Sequence, residues 1–302
     1  MSEKKDYLHL HFIVLIWGFT AILGVLIELP PVEVVFYRTG IAALGLLFVV
    51  RFRKGSFRIP ERKDYFVILG VGFLIAIHWI TFFLSARISN VSVCLAGMAT
   101  ASLWTAIIEP LAIGRKVKMY EVALSILAFV GMGVIFKVEF QYVMGLLVSM
   151  FSALMAATFS VINGKLSKKY DPYVITFYEM IGACASIVLF FPFYGTYFSN
   201  GLQLLGSLSD YGYLIVLAVF CTVYAHSISV ELMKRLSVFS INLTINLEPI
   251  YGIVLALLIF GESEEMSSGF YLGTGLILLS VLLHPLLNRK FRQKALSSDI
   301  IR

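Results

Sequence analysis

Glu248 stands near the middle of residues 238–260, VFSINLTINLEPIYGIVLALLIF, an otherwise largely apolar run. At about 1.5 Å per residue such a run covers the roughly 30 Å hydrocarbon core of a bilayer, which puts the carboxyl near mid-depth. An acidic side chain there lies about 2.5–3.5 kcal/mol uphill, so it must face protein or a wet cavity. Its chemistry would be to bind a substrate amine or to carry a proton; the alternative is a protonated carboxyl bonded to a neighbouring helix. Pro249, beside it, has no N–H, which frees the Ile245 carbonyl and predicts a hinge. Ser240, Thr244 and Glu248 recur at i, i+4 and i+8, while Asn242, Asn246 and Pro249 make a second stripe on another side. Two polar stripes predict a helix enclosed by protein or water and not by lipid.

Other residues could complete such a site. Ser102, Thr105 and Glu109 share one helical face, with Thr100 and Trp104 on a neighbouring one, and Thr100 to Ser102 are expected opposite Glu248. Glu109 is a gate candidate or an ordinary partner of Arg115 or Lys116, and Pro110 is a second candidate hinge. His78 and His226 could relay protons or bind a carboxylate, against a plain packing role. Arg38 could hold a substrate carboxylate bidentately, or it could snorkel or pair with Glu28 or Glu33. Trp17, Trp79, Tyr37, Tyr178 and Tyr224 could wall a cavity for apolar groups, although aromatic belts and core packing use the same residues. The expected substrate-binding set is therefore Glu248, Asn246, Asn242, Thr244, Thr100, Ser102, Trp104, His78, Trp79, Arg38, Trp17, Tyr224 and His226, with Glu248, Glu109, His78 and His226 as gate or proton-coupling groups. No Walker loop, HExxH or nucleophile elbow is present, so no catalytic residue, cofactor or metal is expected.

The elements that must position these groups follow from composition. The chain is 302 residues, 59% hydrophobic and only 14% charged, with a mean hydropathy of +0.90; it is an all-α, polytopic membrane protein. A net charge of +6 would otherwise suggest nucleic acid, but the basic residues sit in short loops between apolar runs and form no groove-sized face. The partners expected are a small-molecule substrate and the bilayer, with the plasma (inner) membrane of a prokaryote as the setting. Cys94, Cys184 and Cys221 all lie inside predicted spans, which leaves no disulfide framework or CxxC motif. The charged N-terminus leads into a full-length span with no small-residue cleavage site, as for a retained first helix.

Ten spans are predicted at roughly residues 10–28, 34–51, 65–86, 91–113, 120–137, 142–162, 173–193, 211–233, 238–260 and 268–287. With both termini cytoplasmic, every Lys and Arg except Arg87, Lys137 and the intramembrane Arg38 falls on the inner side. The basic segment RFRKGSFRIPERKD between the second and third spans reads as a topology anchor on anionic headgroups. The halves also resemble each other: residues 31–38, PVEVVFYR, align with 172–179, PYVITFYE, and His78, Arg87, Ser89 and Ser92 align at constant spacing with His226, Arg235, Ser237 and Ser240. Repeats of five spans, 1–137 and 138–302, would enter the membrane from opposite faces, the inverted architecture of alternating-access transporters.

Trp17-Gly18-Phe19-Thr20, Pro31 leading into Phe36-Tyr37-Arg38, Pro249, and Gly261-Glu262 before the glycine-rich span with Gly269, Gly273 and Gly275 resemble the EamA family of the drug/metabolite transporter superfamily. The resemblance covers nearly the whole chain and implies a ten-helix, two-repeat bundle that moves small metabolites or amino acids, commonly outward. It also implies a cavity lined mainly by the first, third, fourth, sixth, eighth and ninth helices. The first half departs from the pattern, with Ala101-Ser102 matching Pro249 and Gly114-Arg115 matching Gly261-Glu262, while Glu109-Pro110 comes later. Gly269 and Gly273 form a GxxxG suited to packing on the fifth span or to a homodimer contact.

These readings converge on a secondary transporter exporting an amino acid or a related amine or zwitterion by alternating access, and not on an enzyme. A membrane-embedded enzyme acting on lipid, or a channel-like facilitator, is the alternative; the former would need clustered ionisable groups near one membrane face.

Overall fold

A computed structural model of the chain describes residues 3–114, 116, 118–138, 140–199, 201–261 and 266–300. Glu262 of the expected Gly261-Glu262 motif and Arg115, the expected partner of Glu109, lie outside the described residues. Among the described residues the regular structure is helical: α1 (Glu3–Gly18), α2 (Thr20–Leu26), α3 (Pro31–Phe52), α4 (Arg62–Ile88), α5 (Val91–Met98), α6 (Ala101–Ile113), α7 (Met119–Val138), α8 (Val143–Leu166), α9 (Pro172–Tyr197), α10 (Leu208–Ala218), α11 (Ala225–Leu232), α12 (Val238–Ile245), α13 (Glu248–Phe260) and α14 (Ser268–Ile300), with a π-helical turn, Val219–Tyr224, joining α10 to α11.

Read through their short interruptions, these elements give, among the described residues, 8 helices long and apolar enough to cross a membrane, the first being Lys4–Leu26 and the last Val238–Phe260. The predicted fifth and tenth spans correspond to shorter apolar stretches, Met119–Ile135 and Ser268–Ser280. Phe48, Phe66, Leu189 and Leu258 remain exposed on the bundle's flank, where acyl chains take the place of water.

Local chemistry sets the starts. Pro31 and Pro172 occupy the first turns of α3 and α9, where a missing N–H has no helical partner to lose. Asn90 caps α5 by accepting from the Val93 N–H at 2.8 Å, Ser237 caps α12 through Ser240 N at 3.1 Å, and Ser207 with Asp210 forms a reciprocal capping box on α10. Each cap contributes about 1 kcal/mol.

Two membrane-length helices break at matching places. At Ala99-Thr100 the bonding tightens, with Thr100 N donating to Gly97 O at 3.1 Å and Leu103 N to Thr100 O at 3.0 Å. The same pattern recurs at Asn246-Leu247, where Leu247 N donates to Thr244 O at 3.0 Å and Ile250 N to Leu247 O at 3.0 Å. Pro249 follows within the first turn of α13, so its missing donor is harmless there. A hinge at Pro110 is not what the structure has: Pro110 stays inside α6, close to its C-terminal end, and the interruption lies at Ala99-Thr100. The Thr100 hydroxyl reinforces that tight turn by donating to Gly97 O at 2.7 Å.

Packing centres on α4, which lies against both α8 and α9, with α3 also on α9. Helices α7 and α14 pack chiefly on one another. Gly131 and Gly273 make that contact close, since a β-carbon on either would lie 2.6 Å from the other's carbonyl oxygen. Gly273 of the GxxxG pair is thus used within the chain, against α7.

The two ends of the bundle differ. At the end rich in Lys and Arg, Lys169 Nζ and Tyr170 OH both donate to Asp64 Oδ2, at 2.9 and 2.7 Å, clamping the α8–α9 linker to α4. Burial first, and the bond to Asp64 second, push the Tyr170 phenol up to about 12. It therefore stays a donor at any physiological pH. At the opposite end Arg87 donates to the carbonyls of Gly24 (3.0 Å), Ile27 (2.6 Å) and Leu29 (2.5 Å), and Asp210 accepts from Glu28 N at 2.9 Å. Glu33 accepts from Gln203 N at 3.1 Å and Tyr37 OH donates to Leu204 O at 2.5 Å. The first set ties the α2–α3 connection to α4 and α10, and the second ties the α9–α10 connection to α3, both at that end.

Candidate functional site

The helix interruptions flank one common space. A cavity of about 80 Å³ lies among α1, α3, α4, α8, α11, α12 and α13, and Trp17, Arg38, His78, Trp79, Asn242, His226 and Glu248 all line it. Met98, Phe82 and Phe159 supply apolar wall. Glu248 is 6% exposed, and its carboxyl makes no hydrogen bond or ion pair with any described residue. As the first residue of α13 it sits at the positive end of that helix's dipole, an arrangement that the break before it creates.

Arg38 is 1% exposed. Its Nε donates to Thr222 Oγ1 at 2.8 Å, and its guanidinium carbon lies 3.6 Å from the centre of the Trp79 ring. Stacking of this kind, away from water, contributes up to about 2 kcal/mol. Nη1 has no partner. No Glu or Asp forms an ion pair with Arg38 among the described residues, so the expected alternatives of Glu28 and Glu33 are not its partners. The π turn explains the Thr222 contact: Thr222 Oγ1 donates to Leu217 O at 3.1 Å, five residues back, which turns its lone pairs toward Arg38. Trp17 Nε1 donates to the Cys221 carbonyl in the same turn at 3.0 Å.

The histidines have distinct partners. Ser152 Oγ donates to the His78 carbonyl at 2.8 Å and lies 2.8 Å from His78 Nδ1. With its one hydrogen committed, the serine must accept, so His78 carries its hydrogen on Nδ1 and leaves Nε2 for the cavity. His226 Nε2 lies 3.1 Å from Glu179 Oε2. Glu179 is fully buried, at 0% exposure, and its Oε1 has no hydrogen-bond partner among the described residues. The Phe159 ring stands beside both imidazoles, at 5.5 Å from His78 and 6.0 Å from His226. Glu179 was visible in the sequence only as the counterpart of Arg38 in the second half; nothing in residue spacing signals its contact with His226.

The remaining expected site residues lie elsewhere. Asn246 Nδ2 donates to Ser102 Oγ at 2.6 Å and Asn242 Nδ2 to Thr105 Oγ1 at 2.7 Å, an antiparallel zipper between α12 and α6. Thr244 donates to Ser240 O at 2.9 Å within its own helix. Thr100 and Ser102 flank Ala101, which does border the cavity, but do not line it themselves. Trp104 packs against the central apolar cluster, and Tyr224 against Phe12, 6.2 Å between ring centres.

Glu109 lines a second cavity, of about 320 Å³, at the Lys- and Arg-rich end, together with Lys118, Lys165, Lys168, Lys234 and Arg235. Met233 borders both cavities. Among the described residues, no cluster of His, Cys, Asp or Glu is arranged to hold a metal.

Membrane-length helices, interrupted where they meet a buried polar cavity, define a multi-pass integral membrane protein of transporter type. The EamA-like transporter family model matches residues 7–137 and again 143–284, and the chain belongs to that family, within the drug/metabolite transporter superfamily. An uncharacterized transporter of Archaeoglobus fulgidus is 24% identical over 285 residues, covering 92% of this chain and 97% of that protein. A protein of known crystal structure, 16% identical, superposes with a TM-score of 0.70 over 96% of this chain and 99% of its own. That likeness is one of fold. Membership points away from an enzyme.

Proposed function

We propose that the chain is a secondary transporter that exports a small amino acid or related amine or zwitterion by alternating access, from the cytoplasm across the plasma (inner) membrane of a prokaryote. One observation carries the reading: Arg38 and Glu248, of opposite formal charge, border one cavity, and neither has an ion-pair partner among the described residues. A substrate carboxylate would take the open face of the Arg38 guanidinium and a substrate ammonium would take Glu248, which satisfies two buried groups at once. Asn242, His78, Trp79 and Trp17 would frame the rest.

The two-segment family match and the matched breaks at Ala99-Thr100 and Asn246-Leu247 support repeats over 1–137 and 138–302. The antiparallel α6–α12 zipper supports their inverted arrangement as ten helices. Met233 between the two cavities, with the opposite end strapped shut, supports loading from the cytoplasmic side and hence export. Glu109 would then guard the inner mouth.

Thermal-shift measurement of purified protein against amino acids, amines and other polar metabolites tests the reading, because a ligand of the folded state raises apparent stability. Hits should share an ammonium group and be carried in proteoliposomes. A panel without any stabilising ammonium compound overturns it. Saturation and counterflow would separate a carrier from a channel-like facilitator.

Arg38→Lys keeps a cation but loses the planar face that stacks on Trp79 and the second N–H for a carboxylate. Affinity for a carboxylate-bearing substrate should fall about tenfold, or 1.4 kcal/mol. Affinity for the decarboxylated amine should hardly change. Equal loss for both would remove Arg38 from the carboxylate role.

A further inference from the structure

We propose that Glu179 and His226 form a one-proton site on the wall of the transport cavity, loaded when the cavity is empty and unloaded when an organic ammonium ion enters. The proposal rests on the reading that the cavity is the transport site, and it adds a buried carboxylate, Glu179, that does not line the cavity.

The geometry separates the two carboxylates. Glu248 borders the cavity and is open to a ligand. Glu179 is fully buried, and among the described residues its Oε2 meets only the His226 ring, 3.1 Å away, while Oε1 has no hydrogen-bond partner. His226, in turn, does line the cavity. A proton exchanged between Glu179 and the cavity therefore passes through this imidazole.

The groups that face the pair are few. Helix α9 contributes Glu179, α3 contributes Arg38, α4 contributes His78 with its hydrogen on Nδ1, the π turn contributes Cys221, and α13 contributes Glu248. Helix α8 presents Phe159 and Ser160 there, and α1 presents Trp17; the Asp6 carboxylate of α1 is held by Arg235 at the basic end. With both carboxylates ionised and both histidines neutral, one negative charge is left over inside the membrane. A proton on His226 cancels it, and a buried uncompensated charge is costly by several kcal/mol. An ammonium ion arriving at Glu248 cancels the same charge. Its entry lets the imidazolium keep Nε2–H on Glu179 and pass the Nδ1 proton to water, so one positive charge leaves for each that enters. A zwitterion that also brings a carboxylate to Arg38 adds no net charge and displaces no proton.

Full-length chain in nanodiscs with ¹⁵N-labelled histidine reports the loaded state directly. There are 5 histidines, and His226→Gln assigns the signal. At pH 7 without ligand, His226 should show the imidazolium pattern, and Glu179→Gln should convert it to the neutral one; Glu179→Asp, with a shorter carboxylate, should restore at least part of the imidazolium signal. A neutral His226 in the wild type, or an imidazolium unchanged by Glu179→Gln, overturns the proposal.

Proteoliposomes loaded with a pH dye then count protons against radiolabelled propylamine, isoamylamine and phenethylamine. One proton per amine, reduced to background in Glu179→Gln, supports the proposal. Amine flux with no proton movement in the wild type overturns it and leaves the transporter reading standing. No flux of these amines or of the amino-acid panel overturns the transporter reading, and the histidine spectra still decide the pair.

Discussion

Glu248→Gln should weaken binding of an ammonium-bearing substrate by at least about thirtyfold, read by titration of purified protein, and reduce proteoliposome flux to match. Glutamine keeps the size and one carbonyl oxygen but removes the charge from a group that is 6% exposed and has no side-chain partner among the described residues. Truncating one member of a buried, hydrogen-bonded charge pair costs about 2–5 kcal/mol, much of it the penalty left on the partner, here the substrate's ammonium. The fold should survive, because Glu248 holds no neighbouring helix. A variant with unchanged affinity would show that the substrate cation binds elsewhere, and would remove the centre of the proposed site.

Gly72→Ala should lower stability by about 1–3 kcal/mol or more, and Gly70→Ala, two residues along the same helix, should leave it nearly unchanged. A β-carbon at position 72 would collide with the Glu179 carbonyl and lie 2.6 Å from the Ala183 nitrogen, whereas at position 70 nothing lies within 4 Å. The first obstacle is helix backbone and not a flexible side chain, so α4 and α9 must move apart. That shift would also carry Glu179 away from His226. Thermal unfolding of the two variants in one detergent checks the contrast; a tolerated Gly72→Ala would mean that the α4–α9 contact is looser than the structure has it.

Much of this was legible in the sequence because membrane insertion imposes strong rules. Long apolar runs, loop charges and isolated polar residues within runs place helices and point to Glu248, and the cavity does collect Trp17, Arg38, His78, Trp79, Asn242, His226 and Glu248. What spacing along one helix cannot supply is the partner on the next. The stripe through Asn242 and Asn246 marked a polar face correctly, yet Asn246 is bonded to Ser102, and Asn242, although on the cavity wall, is bonded to Thr105. Pro110 is a breaker by residue type and removes the bond to the Ala106 carbonyl, yet α6 runs on past it, and the interruption lies where Gly97 and Thr100 tighten the chain. The π turn at Val219–Tyr224 has no signature in residue type, since it depends on how the backbone is gripped by neighbouring helices.

That turn is in effect one surplus residue lodged in a membrane helix. Removing any single residue from it would restore ordinary winding and leave the flanking turns close to their present register, but it would abolish the wide turn in which Thr222 reaches Leu217 O, five residues back. Thr222 could not then keep its present bearing toward Arg38. Length itself is under constraint in this stretch, so a lineage keeping this cavity could exchange its amino acids far more freely than it could shed a codon.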